Sequence, residues 1–301
     1  MKTRYEDIVD IESIGMVNTK KMNELLKLAN QEDIPFSNKD VEKILLLAID
    51  FQNDFMEEGE LGVPNSHKDV ENTTKFIYKN LHKITDIMIS LDTHQPQQIF
   101  HPCWWIDENG NPPEPFTIIT AKDIESGKWQ ARYNKEESLE YVLQLDSIGK
   151  KQLCIWPYHC LEGTSGAALE NQFANMVYFH SVARDSKTIR VVKGTEPLSE
   201  MYGIIRPEYS KEKYLNSRIL DQMQLYDKIL VVGEAKSHCV LESIRQIVEY
   251  YGRDGEINSK IYVLEDCMSP IPHFEEVTNK DFLELNREYG INIVEAKDFV
   301  L

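Results

Sequence analysis

Six short apolar runs set the frame of this chain: "ILLLAID" at 44–50, "DIMISLD" at 86–92, "TIRVVK" at 188–193, "KILVVGEA" at 228–235, "KIYVLED" at 260–266 and "INIVEA" at 291–296. Each is bounded by turn residues and is apolar enough to be buried on both faces, as strands of a parallel sheet are. Helix-spaced segments fall between them at 73–81, 166–183, 217–225, 240–251 and 280–289. Alternation of strand and helix requires parallel pairing through right-handed crossovers. The expected fold is therefore α/β, a three-layer α/β/α sandwich around a mainly parallel sheet of roughly six strands.

Two stretches stand outside the alternation. Residues 1–40 read as an N-terminal helical extension, with "KKMNELLKLANQ" its clearest segment. Residues 41–301 read as one domain carrying an insertion at about 104–150, Pro-rich and charged at first and helical later. A chain of 301 residues can bury a large core. Its net charge of -17 argues against nucleic acid or an anionic membrane as the partner. No apolar stretch reaches the roughly 18 residues of a membrane span, and the first residues lack a continuous apolar segment, so the expected location is cytoplasmic. Cys103, Cys154, Cys160, Cys239 and Cys267 are an odd, irregularly spaced set, unlike a secreted disulfide framework.

In open parallel sheets the ligand site lies beyond the carboxyl ends of the strands, which makes the residues delivered there informative. "AIDFQNDF" places Asp50 after a buried run, "TIRVVKG" ends on Lys193, and "VVGEAKSHCV" brings Cys239 to a strand-to-helix junction. Unpaired N–H groups and the helix dipole at such a junction bias a thiol toward thiolate. Singly, a strand-end Asp or Lys is ordinarily a cap and a buried cysteine is ordinarily packing. Together on one rim they are a base, a cation and a nucleophile. Asp92 and His94, two apart on an extended segment, point the same way, as two ligands of one metal must, and "IWPYHC" adds His159.

The stretches "DFQNDF", "DTH", "WPYHCLEGTSGAAL", "VVKGTEP" and "VVGEAKSHCV" occur in an order and spacing that resembles the isochorismatase-like superfamily of cysteine hydrolases, and within it the nicotinamidases. The resemblance covers roughly residues 43–103 and 152–296. It implies a metal-containing cysteine amidohydrolase that converts nicotinamide and water to nicotinate and ammonia through a cysteine thioester. Position by position it implies Asp50 as general base, Lys193 as catalytic lysine and Cys239 as nucleophile. The N–H groups of Ala235 and Cys239 would form the oxyanion hole, with a cis peptide between Glu234 and Ala235. Asp92, His94 and His159 would hold one divalent metal, zinc first and iron or manganese as alternatives, with His101 or Cys103 as a fourth ligand. Phe55, Trp156 and Tyr202 would line the substrate pocket.

The chain also departs from the family pattern. The 104–150 insertion is longer than usual and is expected to border the pocket, and "AKSHC" stands where Thr-Asp more often precedes the cysteine. Two alternatives therefore stay open: a hydrolase of another small amide or carbamoyl compound, and a non-catalytic metal-dependent binding protein. The expected partner is a small-molecule amide, nicotinamide or similar, rather than nucleic acid or membrane, and a homo-oligomer is left open.

Overall fold

The central strand is the key to the architecture. In the computed structural model, which describes residues 1–17, 20–149 and 151–301, β1 (Ile44–Ile49) is buried along its whole length. Its side chains alternate between two cores. Ile44, Leu46 and Ala48 belong to one, with Val70, Ile77, Phe173 and Val177; Leu45, Leu47 and Ile49 belong to the other, with Leu220, Ile244 and Phe282. Helices cover both faces, which is why the run is continuously apolar rather than alternating.

Five more strands complete the sheet: β2 (Asp86–Asp92), β3 (Ile189–Lys193), β4 (Lys228–Gly233), β5 (Ile261–Leu264) and β6 (Asn292–Val294). Their order is β6-β5-β4-β1-β2-β3, and every neighbouring pair is parallel. The chain winds from β1 outward through β2 to β3, then returns to the other side of β1 with β4. The strand order thus reverses between β1 and β4, and a crevice opens at their carboxyl ends.

The longer helices are α1 (Met22–Ala29), α2 (Ser66–Lys79), α3 (Lys135–Ile148), α4 (Asn171–Ala183), α5 (Ser217–Met223), α6 (Leu241–Tyr251) and α7 (Glu275–Tyr289). Helix α2 starts at Ser66 rather than 73 and α7 at Glu275 rather than 280, because their first turns are polar and carry little apolar periodicity. Helix α4 starts later than 166. Leu169 instead bridges Gln52, and the Glu170 carboxylate caps the helix by accepting the Phe173 N–H at 2.7 Å.

Before β1, the single turn Tyr5–Ile8 and α1 lie against α4, burying Ile8, Leu25 and Ala29. Two short antiparallel ladders pair Trp105–Ile106 with Gln130–Ala131, and Ile118–Ile119 with Leu153–Cys154 just beyond the stretch 104–149; α3 lies between Gln130–Ala131 and Leu153–Cys154. No helix among the described residues is long and apolar enough to cross a membrane.

One buried ion pair ties the approach to β1 onto the end of α4. The Arg184 guanidinium, fully buried, donates to both oxygens of Asp40 at 2.6 and 2.5 Å and to the Pro35 carbonyl. Arg184→Ala is expected to lower unfolding free energy by about 3 kcal/mol, since it strands a mostly buried carboxylate. Urea denaturation at neutral pH checks this; a loss below about 1 kcal/mol would show the pair to be dispensable.

Candidate active site

Four adjacent strands each deliver one polar group to the crevice. Asp50 follows β1, Asp92 ends β2, Lys193 ends β3, and Cys239 sits beyond β4. The Lys193 ammonium is the hub. It lies 2.8 Å from Asp50 Oδ2, 3.1 Å from Asp92 Oδ1 and 3.6 Å from Cys239 Sγ, and it donates to the Met201 carbonyl at 3.3 Å. Asp50 is also hydrogen-bonded by the Ser90 hydroxyl at 2.5 Å and adopts a left-handed backbone, φ 49°, an uncommon conformation for a residue other than glycine. Burial leaves Asp50 and Lys193 essentially without solvent contact.

The electrostatics follow from that burial. Desolvation raises the Asp50 pKa, against the pull of Lys193. Burial alone would lower Lys193, but the Asp50 and Asp92 carboxylates hold its pKa well above the usual lysine value. Burial pushes the Cys239 thiol well up, with Lys193 opposing and the two carboxylates adding to the rise.

Cys239 does not occupy a regular helix N-terminus; it lies within a π turn, Lys236–Val240, ahead of α6. The local bias toward thiolate is therefore opposed by burial and by the Asp50 and Asp92 carboxylates, which favour the protonated thiol. The preceding peptide, Glu234-Ala235, is cis, as expected. Among the described residues no acceptor takes the Ala235 N–H.

Beside this trio lies a cluster of metal-ligand groups. Donor atoms of Asp92, His94 and His159 all fall within 4.8 Å of one another, and all three residues are buried. His94 places Nδ1 2.9 Å from the Gly194 carbonyl, and His159 places Nδ1 2.8 Å from the Pro157 carbonyl. Each Nδ1 is placed to donate to a backbone carbonyl, which would leave Nε2, 2.9 and 3.6 Å from Asp92 Oδ2 respectively, as the nitrogen offered to a metal. Gly194, φ +76°, is required here: a Cβ would stand 2.5 Å from Asp92 Oδ1 and from the His94 ring.

His101 adjoins the cluster, its ring centroid 5.8 Å from that of His94 and 6.0 Å from that of His159. Its Nδ1 faces the carbonyls of Gln95 and Pro96, while Nε2 is buried with no hydrogen-bond partner among the described residues. Burial, then His159 and His94, lower its pKa to about 3, so it is neutral and ligand-ready. Cys103 differs: its thiol donates to the Pro96 carbonyl at 3.0 Å. This donor set, with tautomers fixed by backbone carbonyls and an orphaned imidazole nitrogen, fits a divalent metal.

The pocket above these groups is mostly apolar and aromatic. Phe55 meets the His159 ring edge-on at 5.7 Å, and Trp156 and Tyr202 form the far wall. The structure brings all the sequence-selected pocket residues together and adds Glu200 and His238, which nothing in the sequence pattern singled out. Glu200 Oε1 accepts from Trp156 Nε1 at 3.2 Å and from the Tyr202 hydroxyl at 2.5 Å; Oε2 accepts from the Tyr141 hydroxyl of α3 at 3.0 Å. Phe116 meets Trp156 edge-on at 5.9 Å. Residues of the 104–149 stretch therefore back the pocket wall directly. His238 meets Trp156 and Phe274 edge-on and Tyr202 at a tilt, and burial lowers its pKa to about 4.

Burial raises the Glu200 pKa to about 7, against its three donors. A carboxyl raised on folding stabilises fully below its unfolded value of 4.5 and loses that contribution as pH rises through 7. Glu200→Gln is expected to remove about 3 kcal/mol of the decline in unfolding free energy between pH 4.5 and 7, at 1.36 kcal/mol per pH unit. Denaturant titrations across that range read the slope; an unchanged slope would refute the assignment.

No family model matches this sequence. Nicotinamidase of Saccharomyces cerevisiae is 24% identical over 252 residues, covering 83% of this chain and 98% of that protein. The crystal structure of yeast nicotinamidase bound to the inhibitor nicotinaldehyde superposes with a TM-score of 0.60 at 22% identity, over 84% of this chain and 99% of that one. Pyrazinamidase of Pyrococcus horikoshii in complex with zinc gives 0.50 at 19% identity, over 84% and 98%. The parallel sheet flanked by helices is the fold of these proteins, and the chain resembles the isochorismatase-like cysteine hydrolases, with nicotinamidase among its relatives.

Proposed function

We propose that this protein is a cysteine amidohydrolase of small amides, with nicotinamide as its leading substrate. The observation that carries the reading is the Lys193 ammonium in contact with Asp50, Asp92 and Cys239 at once, beside the Asp92, His94 and His159 cluster. A buried thiol with a base and a cation at hydrogen-bond range is the constellation of nucleophilic acyl transfer.

The steps follow from the protonation states. Asp50, a carboxylate held by Lys193 and Ser90, accepts the Cys239 proton as sulfur forms its bond to the amide carbon. The N–H groups of Ala235 and Cys239 take the developing oxyanion, and Lys193 offsets the negative charge of the site. Asp50 then returns the proton to the departing nitrogen, releasing ammonia and leaving a thioester. Water, deprotonated by Asp50, attacks the thioester carbon; the C–S bond breaks and the proton returns to sulfur with release of the acid.

Asp92, His94 and His159, with His101 beside them, would hold a divalent metal, zinc first and iron or manganese as alternatives. When bound it supplies a Lewis-acid contact for a ring nitrogen of the substrate. Phe55 and Trp156 supply aromatic surface to the ring. We read residues 104–150 as an insertion that shapes the pocket through Phe116 and Tyr141, and residues 1–40 as an extension outside the chemistry. This shaping is the feature that favours a related small amide or carbamoyl compound as the second reading.

The test is ammonia release by the purified protein from nicotinamide, beside other small amides and carbamoyl compounds. Chelator treatment is expected to lower turnover at least about tenfold, and added zinc to restore it. Turnover of a carbamoyl compound but not of nicotinamide would shift the substrate; no turnover of any amide would refute the enzyme reading.

A further inference from the structure

Two buried carboxyl groups outside the reaction site meet directly under the oxyanion turn. Glu234 follows β4 and is the residue whose cis peptide leads to Ala235; Asp69 comes from α2. Both are buried, and their carboxyl groups lie against one another. Glu234 Oε1 and Asp69 Oδ2 are buried oxygens with no donor from any other group among the described residues. Two ionised carboxylates cannot face one another in so dry a place, so one proton must lie between them.

The surroundings say which group carries it. Asp69 is also hydrogen-bonded by the Ser269 hydroxyl and feels the Lys236 cation, whereas Glu234 Oε2 receives only the Ser269 N–H, at 3.3 Å. The other titratable neighbours are Asp266, an anion that opposes ionisation of the pair, and Cys267, a thiol kept neutral by burial. Burial raises both, Glu234 well above the carboxylate range and Asp69 to about 6, and the extra donor and cation at Asp69 favour the proton on the Glu234 side.

Ser269 makes this pair mechanical. Its hydroxyl serves Asp69, its N–H serves Glu234, and its carbonyl accepts the Lys236 N–H at 2.8 Å. Both chain neighbours of Ala235 are thereby held to one residue, and the Ala235 N–H is fixed between them.

We propose that Asp69 and Glu234 share one proton and act as positioning residues that aim the Ala235 N–H at the oxyanion. The positioning role rests on the hydrolase reading; the shared proton does not. Because both groups titrate higher in the folded protein than in the unfolded chain, their stabilisation is complete at acid pH and is lost as pH rises, first through Asp69 and then through the shared proton. Loss of the shared proton sets two anions against each other and loosens the turn.

The experiment compares wild type with Glu234→Gln and Glu234→Leu. Infrared spectroscopy at pH 8 is expected to show the carbonyl stretch of a neutral carboxylic acid in wild type that Glu234→Gln lacks; its absence from wild type overturns the shared proton whatever the substrate. Kinetics on whichever small amide wild type hydrolyses give the second readout. Glu234→Gln, whose amide donates to Asp69 without titrating, is expected to keep most of kcat and stay flat where wild type declines at alkaline pH. Glu234→Leu is expected to lower kcat about tenfold or more with KM within about twofold, as loss of a transition-state donor does. A Glu234→Leu protein that melts lower but keeps kcat would reduce the pair to a structural role. Failure with nicotinamide alone changes the substrate, not the pair.

Discussion

Cys239→Ala is expected to abolish ammonia release, lowering kcat by at least about 10^4-fold, while the protein folds and binds metal as before. The reason is chemical rather than structural. In the proposed mechanism sulfur is the atom that bonds to the acyl carbon, and alanine offers nothing in its place. The cavity left by one sulfur costs about 1 kcal/mol, too little to unfold a domain of this size. The Asp92, His94 and His159 donors are oriented by Gly194, Pro157 and one another, not by Cys239. Equilibrium dialysis with zinc beside an ammonia assay separates the two effects. A variant that still released ammonia at the normal rate would end the thioester mechanism.

Lys193→Met is expected to cost about 3–5 kcal/mol of unfolding free energy at pH 7, besides removing turnover. Methionine fills similar space, so the loss comes from charge: Asp50 and Asp92 would lie buried in one crevice without their common cation. The Lys193 pKa is raised above 10.5 in the folded protein, so its stabilisation is fully present at neutral pH and fades only above that value. The cost is also expected to shrink toward pH 4, as the stranded Asp50 takes up a proton. Denaturant titrations at pH 7 and pH 4.5 measure both. A loss below about 1 kcal/mol at pH 7 would mean the ammonium does little to hold these carboxylates.

Asp50, Asp92 and Lys193 stand out in the linear chain because each is a polar group at the end of an apolar run, although Arg190 and Val192 of the last run are exposed on the edge strand β3. Ser90 carried a weaker signal of the same kind, a hydroxyl inside "DIMISLD", and it proves to hold Asp50 from the neighbouring strand. Glu200 carried none. It lies in a loop, "TEPLSEMYG", where a charged residue is ordinarily solvated, and only folding surrounds it with Trp156, Tyr202 and Tyr141. His238 is alike: a polar residue beside Cys239 whose burial among three aromatic rings is a product of packing.

The sequence by itself determined the six strands, their parallel pairing and the rim on which Asp50, Asp92, Lys193 and Cys239 meet. Those features follow from local rules: apolar periodicity, the chirality of crossovers and the cost of a buried charge in a strand. Tertiary structure alone decided the π turn at Lys236–Val240, the upward push on the Cys239 thiol, and the meeting of Asp69 with Glu234. Each depends on residues far away in the chain. A pKa is set by the whole surroundings of a group, and no spacing along the sequence contains them.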